Sequence, residues 1–313
     1  MTDFGTLKKV DIKEIWKNEA SEFTVWLCDN LSTLGNVLEM ELELEKREAD
    51  VGELSLDILA RDIGRNRLVV IENQFGRTDH KHLGQLLTYA AGYDSSAVVW
   101  ISEELREEHR QTLDWLNQNT TENIEFYGVV IEVIQIDNSR PAYNFKLVAF
   151  PNEWRKTNIS SGTQTSEKRE AYRVYFQNLI DALRAKNFTN AQKGQPQNWY
   201  SFSSGLQGGG FLYSNSFAQG GRVRAEIYID RKDTKLNKDL FDKLFESKDD
   251  IEKEYGEPLE WERLDSKRAS RIAIYRPGSI EEDEKALDEI KDWSIEKLLK
   301  FKKVFAPKIK KYL

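Results

Sequence analysis

The chain has 313 residues, 32% of them charged, a mean hydropathy of −0.64 and a formal net charge of −7. No apolar run approaches the roughly 20 residues of a membrane span, and the stretch MTDFGTLKKVDIKEIW holds no hydrophobic signal segment. Cys28 is the single cysteine, which excludes an internal disulfide and a thiolate zinc site, so a reducing, cytoplasmic setting is expected.

This length predicts two domains, each able to enclose its own core. Charge divides unevenly between them. Residues 1–150 carry 27 acids against 15 bases, and the remainder 26 against 31. An acidic first half is poorly suited to gripping a polyanion alone, so the second half is the expected clamp unless a partner protein supplies one. Ordinary charge variation between domains explains the same split equally well.

In chain order, Lys13–Leu38 reads as one amphipathic helix with Trp16, Ala20, Phe23, Leu27, Leu31 and Leu34 on its apolar face. Glu19 lies at the edge of that face and Glu22 further towards solvent. Glu41–Arg47 alternates acid and apolar residues, the pattern of a strand with one wet face at a sheet edge. Two further strands follow, GELSLDILARD and LVVIENQF, joined by a short polar link containing Gly64 and Asn66. Alternation places Leu54, Leu56, Ile58 and Ala60 on one face of the first and Asp57 on the other. Glu72 and Gln74 share a face of the second. Pairing the two strands brings Asp57 and Glu72 together in runs that otherwise want burial, where two acids need a partner such as a shared divalent cation.

A helix then opens with Thr78 as cap and Leu83, Leu86, Leu87, Ala90 and Ala91 as its apolar side. His82, Gln85 and Tyr89 form a polar stripe beside it. His80, two residues from His82, points about 200° away and cannot easily join it on one ion. Strand Ala97–Ile101 completes a crossover unit, so it lies parallel to Leu68–Gln74.

Asp57, the run Glu72-Asn73-Gln74 and the helix segment Gln85-Leu86-Leu87-Thr88-Tyr89 together resemble the PD-(D/E)XK nuclease superfamily, in particular its RecB/NucS-like branch with a QxxxY motif. The resemblance covers about the first half of the chain. It implies a restriction-endonuclease-like α/β domain, a mixed sheet flanked by helices, and a metal-dependent DNA endonuclease serving bacterial restriction or phage defence. Asp57, Glu72 and the carbonyl of Asn73, with Glu19 from the first helix and Glu22 in reserve, would hold Mg²⁺ or Mn²⁺. Gln74 would orient a water, and Gln85, Tyr89 and His82 would brace the site or touch substrate. The family's usual last motif residue is lysine; here it is Gln74, and Arg77 or Lys81 could supply the missing charge.

Beyond this, Ser102–Asn119 reads as a helix capped by Ser102, with His109 as a packed or rim histidine. Tyr127–Ile136 and Tyr143–Phe150 read as strands. Residues 1–155 are thus assigned to the nuclease-like domain, 156–166 to a polar linker, and 167–313 to an α+β domain with an antiparallel sheet. That domain is expected to hold a helix over Glu167–Lys186 and strands near Asn198–Ser203 and Phe211–Ser216, with a glycine turn at Gly208–Gly210 between them. The strand GGRVRAEIYID follows, then a helix over Asn237–Tyr255, an antiparallel pair at Leu259–Arg263 and Ser270–Tyr275, and a helical end with seven lysines from Lys297 to Lys311. It resembles an uncharacterised prokaryotic C-terminal module. Arg222, Arg224, Arg271 and the lysine-rich end are candidate phosphate contacts, with solvated charge as the plainer reading. DNA is the expected partner, with a homodimer or a defence-system protein as further partners and no membrane. The competing readings are a catalytically inactive nuclease fold that binds nucleic acid, and a protein-interaction module.

Overall fold

In the computed structural model, residues 4–121, 124–151, 163–206 and 210–312 are described, the side chains of 163–166 excepted. The expected linker and Gly208–Gly209 therefore lie largely outside the described residues. By its contacts the chain divides into two compact units: Met1–Asp62 with Asn66–Ser161, and Ile63–Arg65 with Gly162–Leu313.

The first unit is a mixed sheet. Its strands are β1 (Leu7–Val10), β2 (Leu42–Val51), β3 (Leu54–Asp62), β4 (Arg67–Arg77), β5 (Ala97–Glu104), β6 (Glu125–Ile136) and β7 (Ala142–Ala149). The order is β1-β6-β5-β4-β3-β2, with β7 also pairing β6. β4–β5 and β5–β6 are parallel, and the β2–β3 and β3–β4 hairpins are antiparallel. Strand β5 (AVVWI…) is apolar on both sides because helices cover both faces.

The N-terminal segment departs from the expected single helix. It is α1 (Ile12–Ile15), a π-type turn over Glu19–Phe23, α2 (Thr24–Asp29) and α3 (Leu31–Leu38). Asn18 ends the first piece by accepting the Ser21 N–H on its side chain at 2.9 Å. The turn is wide, with the Phe23 N–H reaching the Asn18 carbonyl five residues back. That extra residue shifts the phase: Ala20, assigned to the apolar face, is exposed, while Trp16, Phe23, Leu27, Leu31 and Leu34 are buried against Ile58, Val69, Ile71 and Val99.

The opposite face carries α4 (His80–Gly92) and α5 (Glu107–Asn119), packed through Leu86, Tyr89 and Leu113 onto Val70, Val98 and Trp100. Two expected caps are replaced. Asp79, not Thr78, caps α4, accepting the His82 N–H at 2.9 Å. Ser102 lies inside β5, and α5 starts at Glu107. Thr78 is buried, where its hydroxyl accepts the Arg106 N–H at 3.0 Å and meets His109 Nδ1 at 2.7 Å. His109 Nε2 in turn meets His80 Nδ1 at 2.9 Å, so this histidine is packed, as its place on the apolar stripe suggested.

The second unit contains α6 (Thr163–Arg184), β8 (Trp199–Ser203), β9 (Phe211–Ala218), β10 (Arg222–Ile229), α7 (Thr234–Phe245), α8 (Lys248–Tyr255), β11 (Glu260–Glu262), β12 (Ser270–Pro277) and α9 (Glu284–Ile309). Its sheet is antiparallel in the order β11-β12-β10-β9-β8. The helix expected over Asn237–Tyr255 is two helices that meet at Ser247. One sheet face is apolar, with Phe202, Tyr213, Val223 and Ile227 packed against Phe176, Leu298, Phe301 and Phe305 of α6 and α9. At an order of 25 cal/mol per Å² of apolar surface removed from water, each such side chain contributes about 2 kcal/mol. Lys238 is buried at the start of α7. Its ammonium donates to the carbonyls of Leu264 and Ala269, at 2.9 and 2.7 Å, which ties the 263–270 segment to the helix.

Candidate active site

Strand β3 pairs with β4 from Asp62↔Arg67 to Ile58↔Ile71, which sets Asp57 opposite Glu72 at the next step. There the ladder opens and side chains replace backbone. The Asn73 N–H donates to Asp57 Oδ2 at 2.7 Å, and the Asp57 N–H reaches Glu72 Oε2 at 3.5 Å. The faces of β3 also change here. Leu56 packs with Leu59 on the α4 side, whereas Ile58 and Ala60 pack on the other. The expected single apolar face from Leu54 to Ala60 therefore breaks at Asp57, where the β3–β4 pairing ends.

Both acids are largely withdrawn from water, Glu72 being 5% exposed. Burial raises the Asp57 carboxyl above the ordinary range, helped by the charges of Glu19 and Glu48 and opposed by the Asn73 N–H. Glu72 is raised by burial first and then by the Asp57 charge. Among the described residues no lysine or arginine forms an ion pair with either, and each keeps one oxygen without a hydrogen-bond partner. Arg77 pairs with Glu104 at 3.0 Å and Lys81 is exposed.

Glu19 reaches the same place by way of the wide turn, which swings it inward. Its Oε2 accepts the Phe75 N–H at 2.5 Å, and burial raises its carboxyl while that bond and His82 oppose the rise. Glu22, the reserve, instead accepts the Lys17 N–H at the surface. Gln74 donates through Nε2 to the Arg77 carbonyl at 2.9 Å and to Asp79 Oδ2 at 2.8 Å. Two acceptors on that side fix the amide's orientation, leaving Oε1 buried without a partner. Burial works against the Asp79 charge, yet the His82 N–H and ring and the Gln74 amide hold its carboxyl down at about 2.

Tyr89 is buried and donates to the Ser55 carbonyl at 2.8 Å, two residues before Asp57, with Gln85 Nε2 at 3.5 Å from the same hydroxyl. Burial, then Glu72 and Asp57, push the Tyr89 hydroxyl up to about 12. These two residues brace α4 against β3. Asn73 serves both faces of the sheet. Its backbone N–H serves Asp57, but its side chain lies on the far face, donating to Thr24 Oγ1 at 3.0 Å.

Sequence reading missed Glu48 and Asp79. Glu48 has a left-handed backbone (φ 50), sits between the register pairs Arg47↔Ile58 and Ala49↔Leu56 and accepts the Ser55 hydroxyl at 3.2 Å, and its charge adds to the rise at Asp57. The only trace of it in the sequence is its position across a hairpin from Asp57.

The donor set suits a hard divalent cation: paired carboxylates with spare oxygens, a deficit of positive charge, and the buried, unpartnered Gln74 Oε1 nearby. Among the described residues, however, no three His, Cys, Asp or Glu side chains are gathered as a ready ligand set. Asp57 and Glu72 are thus the core of any such site, and Glu19, held by the Phe75 N–H, would have to turn to join them.

In the second unit, Arg222, Arg224 and Arg271 do share a sheet face, but two are not free. Arg224 and Arg271 both lie against Glu226, which is 4% exposed, and Arg271 also pairs with Glu262 at 3.1 Å. Part of the lysine-rich end is likewise engaged. Lys297 and Lys300 pair with Glu257 and Glu296, and Lys308 with Glu254. These ion pairs tie elements of the second unit to one another.

A family model described as a domain of unknown function (DUF4268) matches residues 171–309. No curated protein matches. Among solved structures, a repair endonuclease from Pyrococcus abyssi is 16% identical over 32% of this chain and 44% of that one, with a TM-score of 0.27. A chain in the EndoMS–dsDNA2 complex is 20% identical over 33% and 44%, with a TM-score of 0.25. Pyrococcus furiosus SfsA in complex with Ca²⁺ is 14% identical over 42% and 63%, with a TM-score of 0.27. Each match spans less than two thirds of the other chain's length, and superpositions this loose bear no weight for function. Among the described residues no helix is long and apolar enough to cross a membrane.

Proposed function

We propose that the first unit is a metal-dependent endonuclease that hydrolyses phosphodiester bonds in DNA. The observation that carries this reading is the buried pair Asp57 and Glu72, on adjacent strands and, among the described residues, with no lysine or arginine ion-paired to either. Two acids so placed cost stability unless a cation arrives to share them. Asp57 and Glu72 would hold Mg²⁺ or Mn²⁺, with Glu19 and the Asn73 carbonyl completing the set. When bound, the ion supplies charge to the phosphate and acidifies a water.

The chain's own residues do the rest. The Asn73 N–H fixes the Asp57 oxygen that it binds, leaving the other free. Gln74, clamped by Asp79 and the Arg77 carbonyl, offers Oε1 as an acceptor that orients a water without charging it. Tyr89 holds β3 at Ser55 so that Asp57 keeps its place opposite Glu72. A role in bacterial restriction or phage defence, and a cytoplasmic setting, accompany this reading.

The test is nicking of supercoiled plasmid with Mg²⁺ or Mn²⁺. Asp57→Ala and Glu72→Ala are each expected to lower the rate at least about a hundredfold, as loss of a charge-stabilising group does. Equal rates in both variants and the parent would end the proposal. A second reading, an inactive nuclease fold that binds nucleic acid, is favoured by Gln74 in place of a charged group. It predicts salt-dependent DNA binding with no cleavage in either metal.

A further inference from the structure

The polar face of the second unit's sheet has an ordered cross-strand row. Trp199 pairs with Ser216, Ser216 with Arg224, and Arg224 with Tyr275, so one rung crosses β8, β9, β10 and β12. At about 4.8 Å per strand the rung is about 14 Å long. It forms the floor of a cavity of about 610 Å³. Aromatic rings stand at its two ends, and the Arg222 guanidinium lies 4.3 Å above the Tyr275 ring.

Two features of this floor are unspent. Ser216 is 2% exposed and lines the cavity, yet its hydroxyl has no hydrogen-bond partner. A buried hydroxyl left so costs about 1–3 kcal/mol, which a bound acceptor or donor would recover. Charge is the second. The inner charges cancel, since Arg224 and Arg271 face Glu226 and Glu262. Arg222 and Lys267 at the rim form no ion pair among the described residues, with Glu260 opposing them.

We propose that this face binds a single-stranded polynucleotide, with an unpaired base stacked on Trp199, a polar base edge on Ser216 Oγ and a phosphate on Arg222. A flat antiparallel face with aromatic rings and basic side chains at intervals accepts bases through their π-faces, which a duplex keeps stacked on its own neighbours. The ion-paired Arg224 and Arg271 serve as a fixed floor. Only the choice of a polynucleotide ligand rests on the nuclease reading, and the binding requires no metal.

The experiment measures fluorescence anisotropy of labelled oligo-dT, oligo-rU and a duplex of equal length, with the full chain carrying Asp57→Asn, in EDTA. Single strands are expected to bind more tightly than duplex, the two arms reporting the preferred sugar. Trp199→Ala should weaken binding about five- to a hundredfold, as loss of one base–aromatic stack does. Arg222→Ala should reduce the slope of log affinity against log salt by about 0.7, the value for one phosphate on a single strand. Because Arg222 is exposed, Arg222→Glu tests the site with little risk to folding, and it should abolish binding at moderate salt. Duplex binding as tight as single-strand binding, no binding at all, or affinity unchanged in Trp199→Ala and Arg222→Glu would overturn the proposal. Failure of the nicking assay leaves this measurement intact, and nicking with unchanged variants refutes this site alone.

Discussion

Asp57→Asn is expected to abolish hydrolysis while making the metal-free protein more stable. Asparagine keeps the acceptor that the Asn73 N–H needs and removes a carboxyl that must ionise out of water, with no lysine or arginine paired to it, as pH rises. An ion taken out of water without a partner costs several kcal/mol even after relaxation. Asp57 keeps some exposure, so a gain of about 2–4 kcal/mol is a fair expectation. For a unit of this size that is a rise of roughly 5–12 °C in Tm.

The sign with pH is fixed by the direction of the shifts. Asp57 and Glu72 hold their protons more tightly folded than unfolded, so the native state binds more protons and stability falls as pH rises. Below about pH 3, where both are protonated in either state, the penalty vanishes. It grows as pH rises through the folded-state values. Differential scanning fluorimetry in EDTA should therefore show the Asp57→Asn variant melting above the parent at about pH 8 and level with it at about pH 3. Added Mg²⁺ should raise the parent and leave the variant unmoved. A variant that melts at or below the parent at the higher pH would refute the idea that these carboxylates stand unneutralised.

Three further outcomes follow from neighbouring contacts. Gln74→Lys places an ammonium within reach of Asp79 Oδ2 and the Arg77 carbonyl, which now hold the amide; nicking should persist or increase, and complete loss would show a role that only the amide fills. Tyr89→Phe leaves the Ser55 carbonyl without its donor and should cost about 1–2 kcal/mol in urea unfolding. An unchanged midpoint would mean that α4 is held by packing alone. Glu226→Gln strips two inward guanidiniums of their shared counter-charge and should destabilise by about 3–5 kcal/mol, read by the same denaturant titration.

The pairing of Asp57 with Glu72 was legible because period-two alternation and a short link fix a hairpin's register. The parallel placement of β4 and β5 was legible from the strand–helix–strand spacing. Glu19 was found through a helix that does not exist as one piece. The apolar spacing survives in Trp16, Phe23 and Leu27, but Asn18 and a five-residue turn decide which way the acid points. Glu48 was invisible, since nothing in a sequence announces a left-handed glutamate inside a strand. The ion pairs of Arg224 and Arg271 were hidden for a different reason. Glu226 lies two residues from Arg224 in the same strand, but a solvated charge and a buried ion pair have the same spelling until burial is known.

Strand β2 lies at the margin of the first sheet, and among the described residues its only strand partner is β3. Its register slips between Leu44 and Lys46, it twists again at Glu48, and Lys46, Arg47 and Glu48 are exposed. An even, apolar margin would invite another chain to add a strand and grow into aggregates. This one offers an incoming backbone a broken rhythm of donors and acceptors under a mixed fringe of charge. The twist at Glu48 therefore also guards the sheet against templated growth, and self-association by joining sheets across β2 is disfavoured.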